Sequence, residues 1–250
     1  MLETHLYTVN MRLVCFGDSF TATMGIPPEH IASGRPPSWI DLLAERWGCS
    51  AVTQGANGVG PLEMLHQIQN FGEFLPGDRV FCAFSRANRF CLSPEMPSIH
   101  HYTDLPQDSE HLEVNAHSLT NKCGLKELTP AELSRIVQAH RWYELFLNNN
   151  YRERIIHYTV FTALDGIAAA NPQAKFYVKY SFDREWKLNR IMNLQNKFFT
   201  LLEGDLYSRC GEEIRDPVTN QILERHTTVT NHFTTAAVGD FVDYLDGAMR

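Results

Sequence analysis

The chain has 250 residues, 44% of them hydrophobic, and a formal charge of -7 with a sequence pI near 5.9. That length suffices for one large buried core, so a single domain over 1–250 is the expectation. The acidic balance and the lack of a dense Lys/Arg run exclude a typical nucleic-acid binder, leaving a small-molecule or neutral polymer substrate as the better fit.

No apolar run approaches the roughly 18 residues that cross a bilayer, and the N-terminus lacks a basic segment followed by an apolar stretch and cleavage site. The six cysteines, Cys15, Cys49, Cys82, Cys91, Cys123 and Cys210, form no C-x-x-C pair, and several sit in apolar runs. They read as reduced core residues, so the expectation is a soluble cytoplasmic protein without a membrane partner.

In chain order, "RLVCF" (12–16) is an apolar run stopped by Gly17, as a buried strand entering a turn would be. "PPSWIDLLAERWG" then carries Ser38 ahead of an amphipathic pattern and Gly48 after it, which predicts a capped helix. "CSAVT" (49–53) reads as a second strand, "GANGVG" (55–60) as a loop, "PLEMLHQIQNF" as a helix with Pro61 in its first turn, and "RVFCAF" (79–84) as a third strand. Strand, helix, strand, helix, strand is the rhythm of a parallel sheet covered by helices on both faces.

Residues 86–128 break this rhythm with prolines, histidines and polar residues, and are too long for an ordinary connection; they read as an insertion or lid. A capping box at Thr129, Pro130 and Glu132 opens a helical region running to about Ala170, with a break near Asn148 to Asn150. "AKFYVKYSF" (174–182) is a fourth strand, 188–202 an amphipathic helix by its apolar spacing, and "HFTTAAVGDFVDYLDGAMR" a final helix with Asn231 as its expected cap. No repeat or low-complexity tract is present.

Candidate chemistry begins at "FGDSF". A Ser directly after the first strand of such a sheet stands at its carboxyl edge, where open α/β sheets build their sites. Gly17 allows a sharp turn, Asp18 can brace it, and Ser19 would lie near a helix N-terminus whose N–H groups could hold an oxyanion. From these residues alone, Ser19 is equally well read as a nucleophile or as a helix cap or turn residue.

"FGDSF" resembles the first block of the SGNH, or GDSL-type, hydrolases. That resemblance implies an α/β/α three-layer sandwich around a flavodoxin-like, mostly parallel sheet, with functional residues in the order Ser, Gly, Asn and a late His. "QGANGVGP" falls at the second block and matches the oxyanion glycine to Gly58, with Gly60 or Gly55 if the register slips; the same glycines would also serve a tight turn. "FSRANRF" matches the third block through Asn88, with Arg86 and Arg89 where the family has Gly and Asp. The two arginines would bind an anionic substrate, or else pair with acidic neighbours on the surface. "VTNHFTTAAVGDFVDYL" resembles the last block, with His232 as general base, but Val229 stands where the orienting Asp belongs.

The resemblance therefore implies a serine esterase: Ser19 as nucleophile, His232 as base, and an oxyanion hole from the N–H groups of Ser19 and Gly58 and the side chain of Asn88. Small-molecule or carbohydrate esters, acetyl esters among them, would be its substrates, with activity rising between pH 5 and 8. Thr228, Thr230, a backbone carbonyl or Glu224 could orient His232 in place of the acid. The alternative is a scaffold weakened as a catalyst and serving as a binding or structural module. No cofactor is expected, since no nucleotide-binding glycine motif occurs. A metal is not expected either, because His100, His101, His111, His117 and Cys123 fit no ligand spacing.

Overall fold

The computed structural model describes residues 11–22, 38–56, 58–87, 89, 129, 131, 134–135, 138, 142, 149–182, 197–211, 214–215, 222–224 and 233–250. Five strands, β1 (Arg12–Gly17), β2 (Ser50–Thr53), β3 (Arg79–Phe84), β4 (Lys175–Tyr180) and β5 (Phe199–Asp205), form one all-parallel sheet in the order β2-β1-β3-β4-β5. This is the flavodoxin-like order expected from the resemblance. A two-stranded antiparallel ribbon, β6 (Ile214–Arg215) and β7 (Ile222–Glu224), follows the sheet in the chain.

Because successive strand residues face opposite ways, each central strand feeds two cores. Leu13 and Cys15 of β1 and Phe81 and Ala83 of β3 face one layer; Val14, Phe16, Val80, Cys82 and Phe84 face the other. Helices α1 (Trp39–Trp47) and α4 (Thr235–Met249) cover the first face, through Trp39, Ile40 and Leu43 on one and Phe241, Val242 and Leu245 on the other. Helices α2 (Pro61–Gln69) and α3 (Asn150–Ala170) cover the second, through Met64, Ile68, Val160, Phe161 and Leu164. The fold is a three-layer α/β/α sandwich.

Local chemistry explains the helix ends. Ser38 accepts a hydrogen bond from the Ile40 N–H at 3.1 Å, and Gly48 closes α1 in the left-handed conformation at φ 60°. Pro61 sits in the first turn of α2, where its missing N–H is harmless. Asn149 caps α3 by accepting from the Arg152 N–H at 2.9 Å, at the expected break near 148–150. Ala131, Ser134, Arg135, Gln138 and Trp142 are helical too, and no helix of the described residues is long and apolar enough to cross a membrane.

Two expectations are corrected. The helix expected over 188–202 is a strand from Phe199 onward, while 188–196 lie outside the described residues. "FFTLL" is a short apolar run whose periodicity suits either element, and parallel pairing with β4 (Phe176 with Phe199, Val178 with Leu201) decides for the strand. The cap position of α4 is taken by Thr234 rather than Asn231. Most of the expected 86–128 insertion also lies outside the described residues.

Candidate active site

The described helices that follow β1 and β3 in the chain, α1 and α3, lie on opposite faces of the sheet, so the carboxyl ends of β1 and β3 flank the topological switch point. Ser19 stands there. Gly17, the last residue of β1, has φ 128°, and a Cβ added to it would lie 2.4 Å from the Ala83 carbonyl oxygen of β3. Only glycine permits that approach. The backbone then turns over residues 18–21: the N–H and hydroxyl of Thr21 both donate to the Asp18 carbonyl, at 2.9 and 3.0 Å. Ser19 is half-buried in this turn; the helix start expected after it falls among residues outside those described.

Three loops are stitched together at this edge. From the β2 loop, the Ala56 N–H donates to the Gly17 carbonyl at 3.0 Å, and the Thr53 hydroxyl donates to the Thr21 carbonyl. From α2, Gln67 brackets Gly17, accepting from its N–H at 3.0 Å and donating to its carbonyl at 3.4 Å. From the β3 loop, the Arg89 carbonyl approaches Gly60 so closely that a Cβ there would lie 2.6 Å away.

The glycines of the second block therefore have different reasons to be glycine. Gly55 is pressed against the backbone of Thr21, 2.5 Å from an added Cβ, and Gly60 against Arg89. Gly58 is buried with φ 77°, a left-handed conformation that presents its N–H differently from any ordinary strand or helix residue.

No known protein-family model matches the chain, and no curated protein sequence matches it. Among solved structures, the chain is similar to one described as a "putative lipolytic protein of G-D-S-L family" from Desulfitobacterium hafniense DCB-2. The two are 12% identical with a TM-score of 0.37, over 94% of this chain and 98% of the other.

The two arginines of the β3 loop behave differently. Arg89 donates from one terminal nitrogen to the Asp18 carboxylate at 3.1 Å and to the Ser85 hydroxyl at 2.6 Å. Asp18 has no exposed surface, and its other oxygen accepts from the Phe20 N–H at 3.1 Å, so the carboxylate braces the turn from inside and the β3 loop from outside. Arg86 is half-buried, and its guanidinium lies over the Phe182 ring at 4.5 Å, with that of Arg89 over the same ring at 5.2 Å.

Asn88 and His232 lie outside the described residues, as do Thr228, Val229, Thr230, Asn231 and the histidines at 100, 101, 111 and 117. The described residues beside the expected pair do meet. Phe20, next to Ser19, is in edge contact with Phe233, next to His232, at 6.4 Å between centroids. Phe233 in turn stacks on Phe241 of α4 at 4.4 Å, and the Thr234 N–H donates to the Cys210 carbonyl at 3.0 Å. Glu224 ends β7.

Cys15, Cys82 and Cys210 are buried free thiols, and burial pushes all three up, Cys210 to about 12, so they pack as small hydrophobes rather than as nucleophiles. Among the described residues no group of three or more His, Cys, Asp or Glu is arranged to hold a metal. The pairing of an arginine with an acidic neighbour, one of the two expectations for this loop, is met by Arg89, though with buried Asp18 rather than on the surface; the Gln67 bracket and the Phe182 platform were not read from the sequence. A basic residue in the third block, where the resemblance has an acid, was the one available signal for the pair; nothing in "PLEMLHQIQ" singles out Gln67.

Proposed function

We propose that the protein is a serine hydrolase cleaving carboxylic esters through an acyl-enzyme on Ser19. The observation that carries this reading is the Phe20–Phe233 contact, which joins the turn of Ser19 to the segment entering α4. In the proposed reaction, the Ser19 Oγ attacks the ester carbonyl carbon as His232 takes its proton. The N–H groups of Ser19 and Gly58 and the side chain of Asn88 hold the tetrahedral oxyanion, and collapse expels the alcohol with the proton returned by His232. Water then attacks the acyl-enzyme with His232 again as base, releasing the acid and regenerating Ser19. Small acyl esters, including acetyl esters of carbohydrates, are the proposed substrates, turned over without a cofactor.

The test is labelling by a fluorophosphonate probe together with hydrolysis of p-nitrophenyl acetate, comparing wild type with Ser19→Ala. The expected result is labelling and turnover that vanish in the variant, with turnover rising through about pH 6.5 as the base deprotonates. An unlabelled wild type with hydrolysis equal to that of Ser19→Ala would sink the reading. Val229 favours a second reading, a binding module on the same scaffold, because loss of the orienting acid from a serine protease triad lowers turnover by about 10^4. That reading expects the unlabelled outcome.

A further inference from the structure

We propose that this site selects esters carrying a second, anionic group, a carboxylate or phosphate, and that Arg86 is the residue that grips it; this rests on the esterase reading above. The loop after β3 brings two guanidiniums over one ring, Phe182, at 4.5 and 5.2 Å. Arg89 is compensated there: Asp18, fully buried, holds it at 3.1 Å, and Ser85 accepts from it as well. Arg86 has no carboxylate partner among the described residues. Among the described residues, the Arg86 guanidinium is therefore a charge beside the Ser19 turn with no carboxylate to offset it, in a chain whose net charge is -7.

Position makes that charge useful. Phe182 is held in edge contact with Phe20 at 5.8 Å and against Tyr207 at 5.8 Å, so Arg86 is linked through two rings to the turn that carries Ser19. Stacking on Phe182 limits the guanidinium's rotamers while leaving its in-plane N–H groups for a planar or tetrahedral oxyanion, which a guanidinium binds in two-point fashion. Ser181, the residue before Phe182, is fully buried, and its hydroxyl has no hydrogen-bond partner among the described residues.

The experiment compares two esters of the same succinyl chain, mono-p-nitrophenyl succinate, which keeps a free carboxylate, and its neutral methyl ester, with release of p-nitrophenol read in both. Wild type should prefer the charged ester in kcat/KM by about tenfold or more, the size of a charge-assisted hydrogen bond. Arg86→Gln should bring the ratio near one, and Arg86→Lys, which keeps charge but not the fork, should fall between. No preference in wild type, or a ratio unchanged in Arg86→Gln, overturns the proposal. Inhibition by succinate against inorganic phosphate tells which oxyanion is favoured.

If neither ester is hydrolysed, the esterase reading fails, and titration calorimetry decides Arg86 separately. Succinate or inorganic phosphate bound by wild type and weakened about tenfold in Arg86→Gln supports the anion site; no binding, or equal binding, overturns it. Circular dichroism confirms that both variants are folded.

Discussion

At Asp18 a carboxylate with no exposed surface is balanced by a guanidinium 71 residues away in sequence, and that pair ties the turn of Ser19 to the loop after β3. Removing one partner of a buried pair leaves the other desolvated and unpaired, at a cost of about 3–5 kcal/mol, whereas removing both is far less damaging. Arg89→Met should therefore destabilise strongly. Asp18→Asn should cost less, because the Arg89 side chain keeps Ser85 and some exposure. The double variant should be more stable than the sum of the singles predicts, a non-additivity measurable by urea unfolding of all four proteins. Strictly additive effects would show that the contact contributes nothing.

At the scale of elements, what holds each helix end separates three capping positions that look alike in sequence. The side chains of Ser38 and Asn149 each satisfy an N–H of the first turn, so Ser38→Ala and Asn149→Ala should each lose about 1 kcal/mol. Thr234 makes no side-chain cap bond, and its buried hydroxyl is without a partner among the described residues, so Thr234→Val should be neutral or stabilising in the same thermal melts. Elements of this kind were legible where their causes are local: the apolar runs of β1 and β3, the Ser38 cap, Gly48, Pro61 and the Asn149 break are all written within a few residues. Phe199–Asp205 was misread because its strand character comes from the β4 ladder, which the local pattern does not contain. The site divides likewise. Gly17 and the turn at Asp18 could be read from "FGDSF" and Arg89 from "FSRANRF", but Gln67 and Phe182 reach the site only through the packing of distant segments.

Across the whole molecule, two buried bases tie stability to pH in the same direction. His157 of α3 lies among Phe84, Phe161 and Tyr180 with no exposed surface, and burial lowers it to about 4, only partly offset by the Glu153 carbonyl one turn back. Lys179 of β4 is equally enclosed, donating to the Glu203 carbonyl and lying 4.8 Å over the Tyr244 ring, and burial lowers it to about 7. Both are deprotonated more readily in the folded chain than in the unfolded one, whose ordinary values are 6.5 and 10.5. The unfolded state thus binds more protons between about pH 4 and 6.5 for His157, and between about 7 and 10.5 for Lys179. Each base's own contribution to stability rises with pH across its window, with a limiting slope of about 1.4 kcal/mol per pH unit for one proton, and the full penalty applies below each folded value. His157→Phe should flatten the acid window and Lys179→Met the alkaline one, each leaving the other's slope in place. Because surface carboxylates and tyrosines titrate in both proteins, the readout is the difference in unfolding free energy between wild type and variant, followed by urea denaturation from pH 4 to 10. A difference that does not change with pH would mean that neither base is held neutral by the fold.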